Sequence, residues 1–136
     1  MLAAFLIGLV VGLRTLTAPA VLLWLRDRGG VWAFVLSAAA IIEYFGDVSP
    51  KAPARTGPTG LIPRILSGAF CGWQLAAMHG GSPAPAAALG SLGAVAGAFG
   101  GLALRRQAIA AIGLVPSGML ENAIAIMLSF LIIAYA

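Results

Sequence analysis

The sequence predicts an all-α integral membrane protein, a polytopic transmembrane helical bundle of about four to six membrane segments, with residues 1–136 forming a single domain. Three observations predict this class. Of the 136 residues, 61% are hydrophobic and 9% are charged, whereas soluble domains average about 45–50% apolar and about 25% charged residues. The mean hydropathy is high, at +1.03. Apolar stretches of near-spanning length also alternate with short segments rich in Gly, Pro and Arg.

Five apolar stretches follow one another along the chain, and a spanning helix needs about 20 such residues. They cover residues 2–25, 31–45, 61–78, 85–104 and 107–136. The first is interrupted near Thr15–Pro19 and the last near Pro116–Gly118, so we predict broken helices at both places. Paired broken segments in the two halves of a chain are also typical of an inverted repeat around a midplane binding site. The sequence leaves that architecture open.

The basic residues between the stretches predict an orientation. If each stretch crosses the bilayer in turn, five Lys and Arg residues share the side of Met1 and two lie opposite. The five are Lys51, Arg55, Arg64, Arg105 and Arg106, and the two are Arg26 and Arg28. The positive-inside rule then makes the N-terminus cytoplasmic. No basic segment precedes the first apolar run, so we do not expect a cleaved signal peptide.

Several functional classes are excluded by what the chain contains. The net charge of +4 is spread singly or in pairs between apolar runs, which is not the clustered pattern of nucleic-acid binders. One cysteine, Cys71, and one histidine, His79, provide neither a disulfide scaffold nor a metal site. An intramembrane hydrolase would need a nucleophile or a metal that the sequence does not place. We therefore expect no catalytic residues, no metal, no cofactor and no enzyme activity.

Charged residues inside the apolar stretches cost about 2.5–3.5 kcal/mol each on insertion scales, so they are the candidate site. Glu43 and Asp47 are four residues apart and share one helix face. They lie at the end of their helix, where the dipole disfavours anions, and Arg64 lies at a helix start, where it disfavours cations. If Glu43 and Asp47 pair with Arg64, or with Arg55, the unfavourable placements of the acidic and basic residues offset each other. The cluster is either an ion-paired staple between helices or a cation or proton site.

Arg14 lies in the middle of the first stretch and needs a partner. We expect it to join Glu121 in one buried polar cluster, with Glu43 as the next choice. Thr15 can satisfy backbone groups freed at the break, and Asn122 can bond across helices. The complete set of substrate- or ion-binding candidates is Arg14, Thr15, Glu43, Asp47, Arg55, Arg64, Glu121 and Asn122.

Glycines spaced four residues apart occur in three of the stretches, where they leave a groove along one helix face. They are Gly8 and Gly12, Gly68 and Gly72, and Gly93, Gly97 and Gly101. Such faces either pack helices within one chain or form the seam of a homo-oligomer, and we predict a homo-oligomer.

The stretches 43–56 and 61–69 resemble a family of small bacterial membrane proteins known as domain of unknown function 4126. Gly12–Thr15, the glycine-rich fourth stretch and Leu120–Glu121 are similar to the family as well. The resemblance implies an integral protein of the bacterial inner membrane with no established activity. It also implies that the family keeps polar residues at Arg14, Glu43, Asp47, Arg55, Arg64 and Glu121.

With almost no residues outside the apolar stretches, the function is expected to reside within the bilayer. We predict a small transporter or permeation protein that moves a small solute, a proton or a cation through an intramembrane charged site. The alternative is a structural or partner-binding membrane protein, in which the charges are staples and the glycine zippers dock helices.

Overall fold

The structure, a computed structural model, describes residues 1–27, 30–47 and 58–135. These residues form six α-helices and no β-strand, which confirms the all-α prediction for this part of the chain. In chain order the helices are α1 (Leu2–Leu13), α2 (Thr17–Asp27), α3 (Val31–Asp47), α4 (Pro58–Met78), α5 (Pro83–Ile112) and α6 (Leu114–Tyr135). Two stretches, Pro83–Ile112 and Pro116–Ala134, are long and apolar enough to cross a membrane, and the apolar parts of α1 and α3 are shorter.

The chain reverses direction between α1 and α2. Met1 lies beside His79, just beyond the end of α4. Ser67 of α4 bonds to Thr15 at the start of the turn, and Arg26 near the end of α2 bonds to Gln74, two turns further along α4. Because α2 therefore runs alongside α4, back toward Met1, the two ends of the first stretch lie together. The prediction that this stretch crosses once, with its ends on opposite sides, is wrong.

The remaining helices alternate in direction. In α3, Ser37 lies beside Trp24 of α2 and Glu43 lies beside the α1–α2 turn. In α6, Gly118 lies beside Arg14. We call the end of the bundle that holds Met1 and the α4–α5 turn the proximal end, and the end that holds Gly113 the distal end. Both reversals, α1–α2 and α5–α6, turn toward the distal end, whereas an inverted repeat would turn them opposite ways. That alternative is therefore wrong for these two segments.

Helices α1, α4 and α5 pack with their backbones in close approach. A Cβ atom on Gly97 would overlap the carbonyl oxygen of Leu9, and one on Gly93 would overlap that of Phe5. The glycines of α1 and α4 meet α5 in the same manner: Gly8, Gly12, Gly68 and Gly72. Gly101 is buried on the same side of α5. Within the single chain, these small-residue faces are thus filled by neighbouring helices.

The second break lies at Gly113 rather than at Pro116–Gly118. The helix α5 continues past its predicted end at Leu104 to Ile112. Gly113 then adopts a φ of 92°, a conformation that glycine reaches without steric cost. Pro116 is accommodated in the first turn of α6, because N–H groups there lack helical partners in any case. The predicted position of this break was therefore wrong by about one helical turn.

Burial in this fold runs against the pattern of soluble proteins. Large apolar side chains of α3 are exposed, including Val31 at 77% and Ile42 at 71%. Three arginines are buried instead: Arg14 at 1%, Arg64 at 6% and Arg105 at 7% exposure. Arginine is almost never fully buried in soluble proteins unless it is paired. Each of these side chains therefore needs specific partners inside the bundle.

Candidate functional site at the turn between α1 and α2

The turn between α1 and α2 is non-helical backbone inside the bundle. The last turn of α1 closes with the Arg14 amide donating to the carbonyl of Val10 at 2.9 Å. Arg14 itself is extended, with φ −139° and ψ 114°. Helix α2 restarts at Thr17, with Pro19 in its first turn, where a missing N–H costs little. The backbone groups between the two helices need partners from elsewhere in the molecule.

Glu43 supplies the acceptors for this turn. Its two carboxylate oxygens accept hydrogen bonds from the backbone amides of Thr15, at 2.8 Å, and Leu16, at 3.0 Å. A carboxylate just before the start of α2 also lies at the positive end of that helix dipole. The position of Glu43 near the end of α3 is unfavourable within its own helix, but it is favourable for α2.

Arg64 supplies a donor for the end of α1. Its Nε donates to the carbonyl of Gly12 at 3.1 Å, and one terminal nitrogen donates to Gly60 at 2.7 Å. The other terminal nitrogen lies 3.9 Å from Glu43, so the predicted pairing of these two residues agrees with the structure. A cation at the carbonyl end of α1 is favoured by the dipole of that helix. The two charges thus hold the two broken helix ends together.

Two further residues tie the turn to α4 and α6. The hydroxyl of Ser67 donates to the carbonyl of Thr15 at 2.6 Å. The guanidinium of Arg14 crosses to α6 and donates to the carbonyl of Gly118 at 3.0 Å. The sequence analysis did not identify Ser67 or Gly118, because neither residue type is costly in a helix and only the three-dimensional position of the turn assigns them a role.

Glu121 forms its ion pair with Arg105, whose guanidinium lies 3.3 Å from the carboxylate. The sequence analysis places Arg105 among the basic residues between apolar stretches, and the structure instead buries it beside a cavity of about 220 Å³ that Glu121 and Ser117 also line. Glu121 thus pairs with Arg105, and Arg14 also reaches α6, at Gly118. The predicted contact between Arg14 and Glu121 stays a prediction.

The remaining candidates fall into three groups. Thr15 takes part through its backbone amide and carbonyl. Asn122 faces a different cavity, between α2, α3 and α6. The side chain of Asp47 and the whole of Arg55 lie outside the described residues, so their predicted pairing stays a prediction. Over residues 1–27, 30–47 and 58–135, no group of three or more His, Cys, Asp or Glu side chains is placed to hold a metal ion.

Comparison of the chain with protein-family models, with curated protein sequences and with solved structures gives no match. The resemblance to domain of unknown function 4126 therefore stays a prediction, and the function is argued from the site alone.

Proposed function

We propose that the chain is a multi-pass protein of the bacterial inner membrane, in which α3 to α6 cross the bilayer and α1–α2 form a re-entrant helical hairpin. The distribution of exposed and buried side chains supports this location. Exposed apolar faces such as that around Ile42 suit lipid, while Arg14, Arg64 and Arg105 are buried in the interior. Non-helical backbone at membrane depth occurs where protein surrounds it, as the bundle surrounds the α1–α2 turn.

The proposed orientation differs from the one expected from the sequence. Among the described residues, Arg106 of α5 lies toward the distal end and Arg26 of α2 lies toward the proximal end. In sequence, Lys51 and Arg55 stand between α3 and α4, and Arg28 directly follows α2. By the positive-inside rule the distal end is cytoplasmic, so Met1, which lies at the proximal end, faces away from the cytoplasm.

Reporter fusions at the C-terminus test this orientation, since α6 runs back to the proximal end. We expect a C-terminal alkaline phosphatase fusion to be active and a C-terminal green fluorescent protein fusion to be dark in bacterial cells. The reverse result would place the distal end outside and would contradict the proposed orientation.

Within the membrane, we propose that the chain conducts or exchanges a proton or a small cation. The observation that carries this proposal is the charged turn itself, with Glu43, Arg64 and Arg14 around broken helix ends in the interior. Charged residues at membrane depth are costly and mark ion pathways in many membrane proteins. Discontinuous helices whose ends meet charges are the recurring form of transport sites.

A second candidate function is structural. Glu43, Arg64 and Ser67 each direct hydrogen bonds at backbone atoms of the turn, which is what a purely structural staple requires. In that case the protein would serve as a partner-binding or assembly unit. A homo-oligomer would then use outer faces such as that of α3, because the small-residue faces are occupied within the chain.

Proteoliposomes separate the two candidates. Purified protein is reconstituted with an internal pH dye, and a potassium gradient with valinomycin imposes a membrane potential that drives protons. Fluxes of Na⁺ and K⁺ are measured with dyes for these ions in separate vesicles without valinomycin. The proposed function predicts proton or cation flux several-fold above protein-free vesicles, and a reduced flux for a folded Glu43→Gln protein. Arg106→Gln, which removes an exposed charge, serves as the control. Wild-type flux equal to that of empty vesicles for protons, Na⁺ and K⁺ would favour the structural candidate.

A further inference from the structure

A cavity of about 350 Å³ lies between α2, α3 and α6, on the side of α2 away from α4. Its walls are mainly apolar and aromatic, formed by Val21 and Trp24 of α2, Ala40 and Ile41 of α3, and Ile126 of α6. This volume and this lining are typical of sites for small organic ligands, which combine apolar walls with a few convergent polar groups.

The polar groups around this cavity differ in whether they already have partners. The indole N–H of Trp24 donates to the hydroxyl of Ser37 at 2.6 Å, and Ser37 donates in turn to the carbonyl of Ala33 at 2.7 Å. The amide of Asn122 is different. Across the parts of the chain that the structure describes, no hydrogen bond engages it. Thr17, at the start of α2, lines the cavity beside it.

Asn122 is half-buried and lines a cavity whose walls are mainly apolar, and an amide in such surroundings is unfavourable unless a partner fills its hydrogen-bonding positions. A ligand would therefore gain most from a group that both donates and accepts, such as an amide or a hydroxyl. No ionisable side chain is among the described residues that line the cavity, so a charged ligand would find no counter-charge.

A larger cavity, of about 610 Å³, lies on the other side of α2 and includes Thr15, Leu16 and Ser67. Most polar groups there are already used. Ser67 donates to the Thr15 carbonyl, and the backbone amides of Thr15 and Leu16 donate to Glu43. The Thr15 hydroxyl remains to orient a ligand, whereas the smaller cavity offers an amide beside a hydroxyl, so the smaller one is the stronger candidate.

We propose that the cavity between α2, α3 and α6 binds a small uncharged amphiphile, with its apolar body against Trp24 and Val21 and one amide or hydroxyl group at Asn122 and Thr17. Helices α3 and α6 hardly touch each other, which leaves a lateral opening between them. In the proposed membrane orientation this opening faces lipid. The binding itself does not depend on whether the chain moves protons or cations.

Quenching of tryptophan fluorescence by a brominated probe tests the proposal in lipid nanodiscs. The probe is an undecanamide with a terminal bromine, since bromine quenches only tryptophans close to it. Trp32 and Trp73 are exposed and report probe dissolved in lipid. A Trp24→Phe protein measures that background. We expect a saturable quenching component in the wild type that Trp24→Phe lacks.

The polar contact is tested by Asn122→Leu, which keeps the branched shape of the side chain and removes the amide. We expect this change to weaken the saturable component about tenfold, the loss of one well-placed hydrogen bond. The brominated alkane of equal length should bind equally to both proteins, and the brominated carboxylate should not show the saturable component.

A third variant addresses the cavity rather than the amide. Ala40→Leu places three additional carbons in the cavity and should weaken the saturable component while the protein remains folded. The proposal is overturned if wild-type quenching is non-saturable, if Asn122→Leu binds the amide probe as tightly as the wild type, or if Ala40→Leu leaves binding unchanged.

Discussion

The two halves of the bundle are held together by different means. Helices α1, α4 and α5 form a small-residue half, where residues such as Gly8, Gly93 and Ala94 let backbones touch. Helices α2, α3 and α6 form a cavity half, where larger side chains meet loosely. There Trp24 and Phe34 stack edge to face at 4.8 Å, beside a cavity of about 350 Å³.

The charged turn lies where these halves meet, and two of its contacts cross between them. Arg64 of α4 lies 3.9 Å from Glu43 of α3, and Arg14 at the end of α1 donates to Gly118 of α6. Close packing is enough to hold three helices whose backbones touch. Directed polar contacts join α2, α3 and α6 to these three helices. Close packing therefore stabilises one half of the bundle, and charged contacts connect the other half to it.

The largest effect is expected from filling the small-residue half. A leucine at Gly97 would collide with the backbone of α1, which cannot move aside as a flexible side chain can. Gly97→Leu should lose at least about 3 kcal/mol of stability or fail to fold. The matched control is Gly100→Leu, because a Cβ there meets no other atom within 4 Å. Thermal midpoints and elution profiles in detergent measure both. Equal behaviour of the two variants would contradict the close packing of α5 against α1.

The next largest effect is expected at the junction. Glu43→Ala removes the acceptor of two backbone amides and the ionic partner of Arg64 together, and should cost about 3 kcal/mol. Glu43→Gln should cost less, because its amide oxygen still accepts. Gln74→Ala removes an exposed contact with Arg26 and should change stability by less than about 0.5 kcal/mol. A Glu43→Ala protein as stable as Gln74→Ala would show that the turn is held by packing.

A smaller effect is expected at the other ionic contact. Arg105→Gln should cost about 2 kcal/mol, because it removes a cation that lies 3.3 Å from the buried Glu121 carboxylate. The neighbouring Arg106 is exposed, so Arg106→Gln provides the matched control. Adding Glu121→Gln to Arg105→Gln should recover part of the lost stability, as measured in a double-mutant cycle. Strict additivity in that cycle would contradict a direct interaction.

The smallest effect is expected in the cavity half. Ala40→Leu extends into open volume and should change stability by less than about 1 kcal/mol. Ala94→Leu makes the same chemical change in the small-residue half, where Ala94 is fully buried beside Gly12 and Gly68, and should be far more damaging. Denaturation of the two proteins in the same detergent compares them directly. Similar losses would remove the distinction between the halves.

The apolar composition predicts the helical class, and the Gly-, Pro- and Arg-rich segments predict the approximate positions of the turns. Glu43 and Arg64 each lie at a helix end whose dipole disfavours their charge, and this predicts their contact. The reversal at the α1–α2 turn was not predictable in the same way. An arginine followed by threonines and a proline interrupts a helix equally well whether the chain then continues or turns back. The direction is set by residues distant in sequence, of which Ser67 and Gly118 carry no pattern of their own.

Arg105 is the one missed site residue that the sequence could have revealed. It continues the four-residue spacing of Gly93, Gly97 and Gly101, and therefore lies on the inward face of α5. The sequence analysis treated Arg105 and Arg106 alike, but Arg105 is buried and Arg106 is exposed.

The α1–α2 turn has a consequence for the order in which the chain is made. Helices α1 and α2, of 12 and 11 residues, are synthesised before the other four described helices. Glu43 is added later, then Arg64, and the Gly118 carbonyl that receives Arg14 lies 104 residues downstream of it. The hairpin of α1 and α2 therefore obtains all of these partners only after the first turns of α6 have been synthesised.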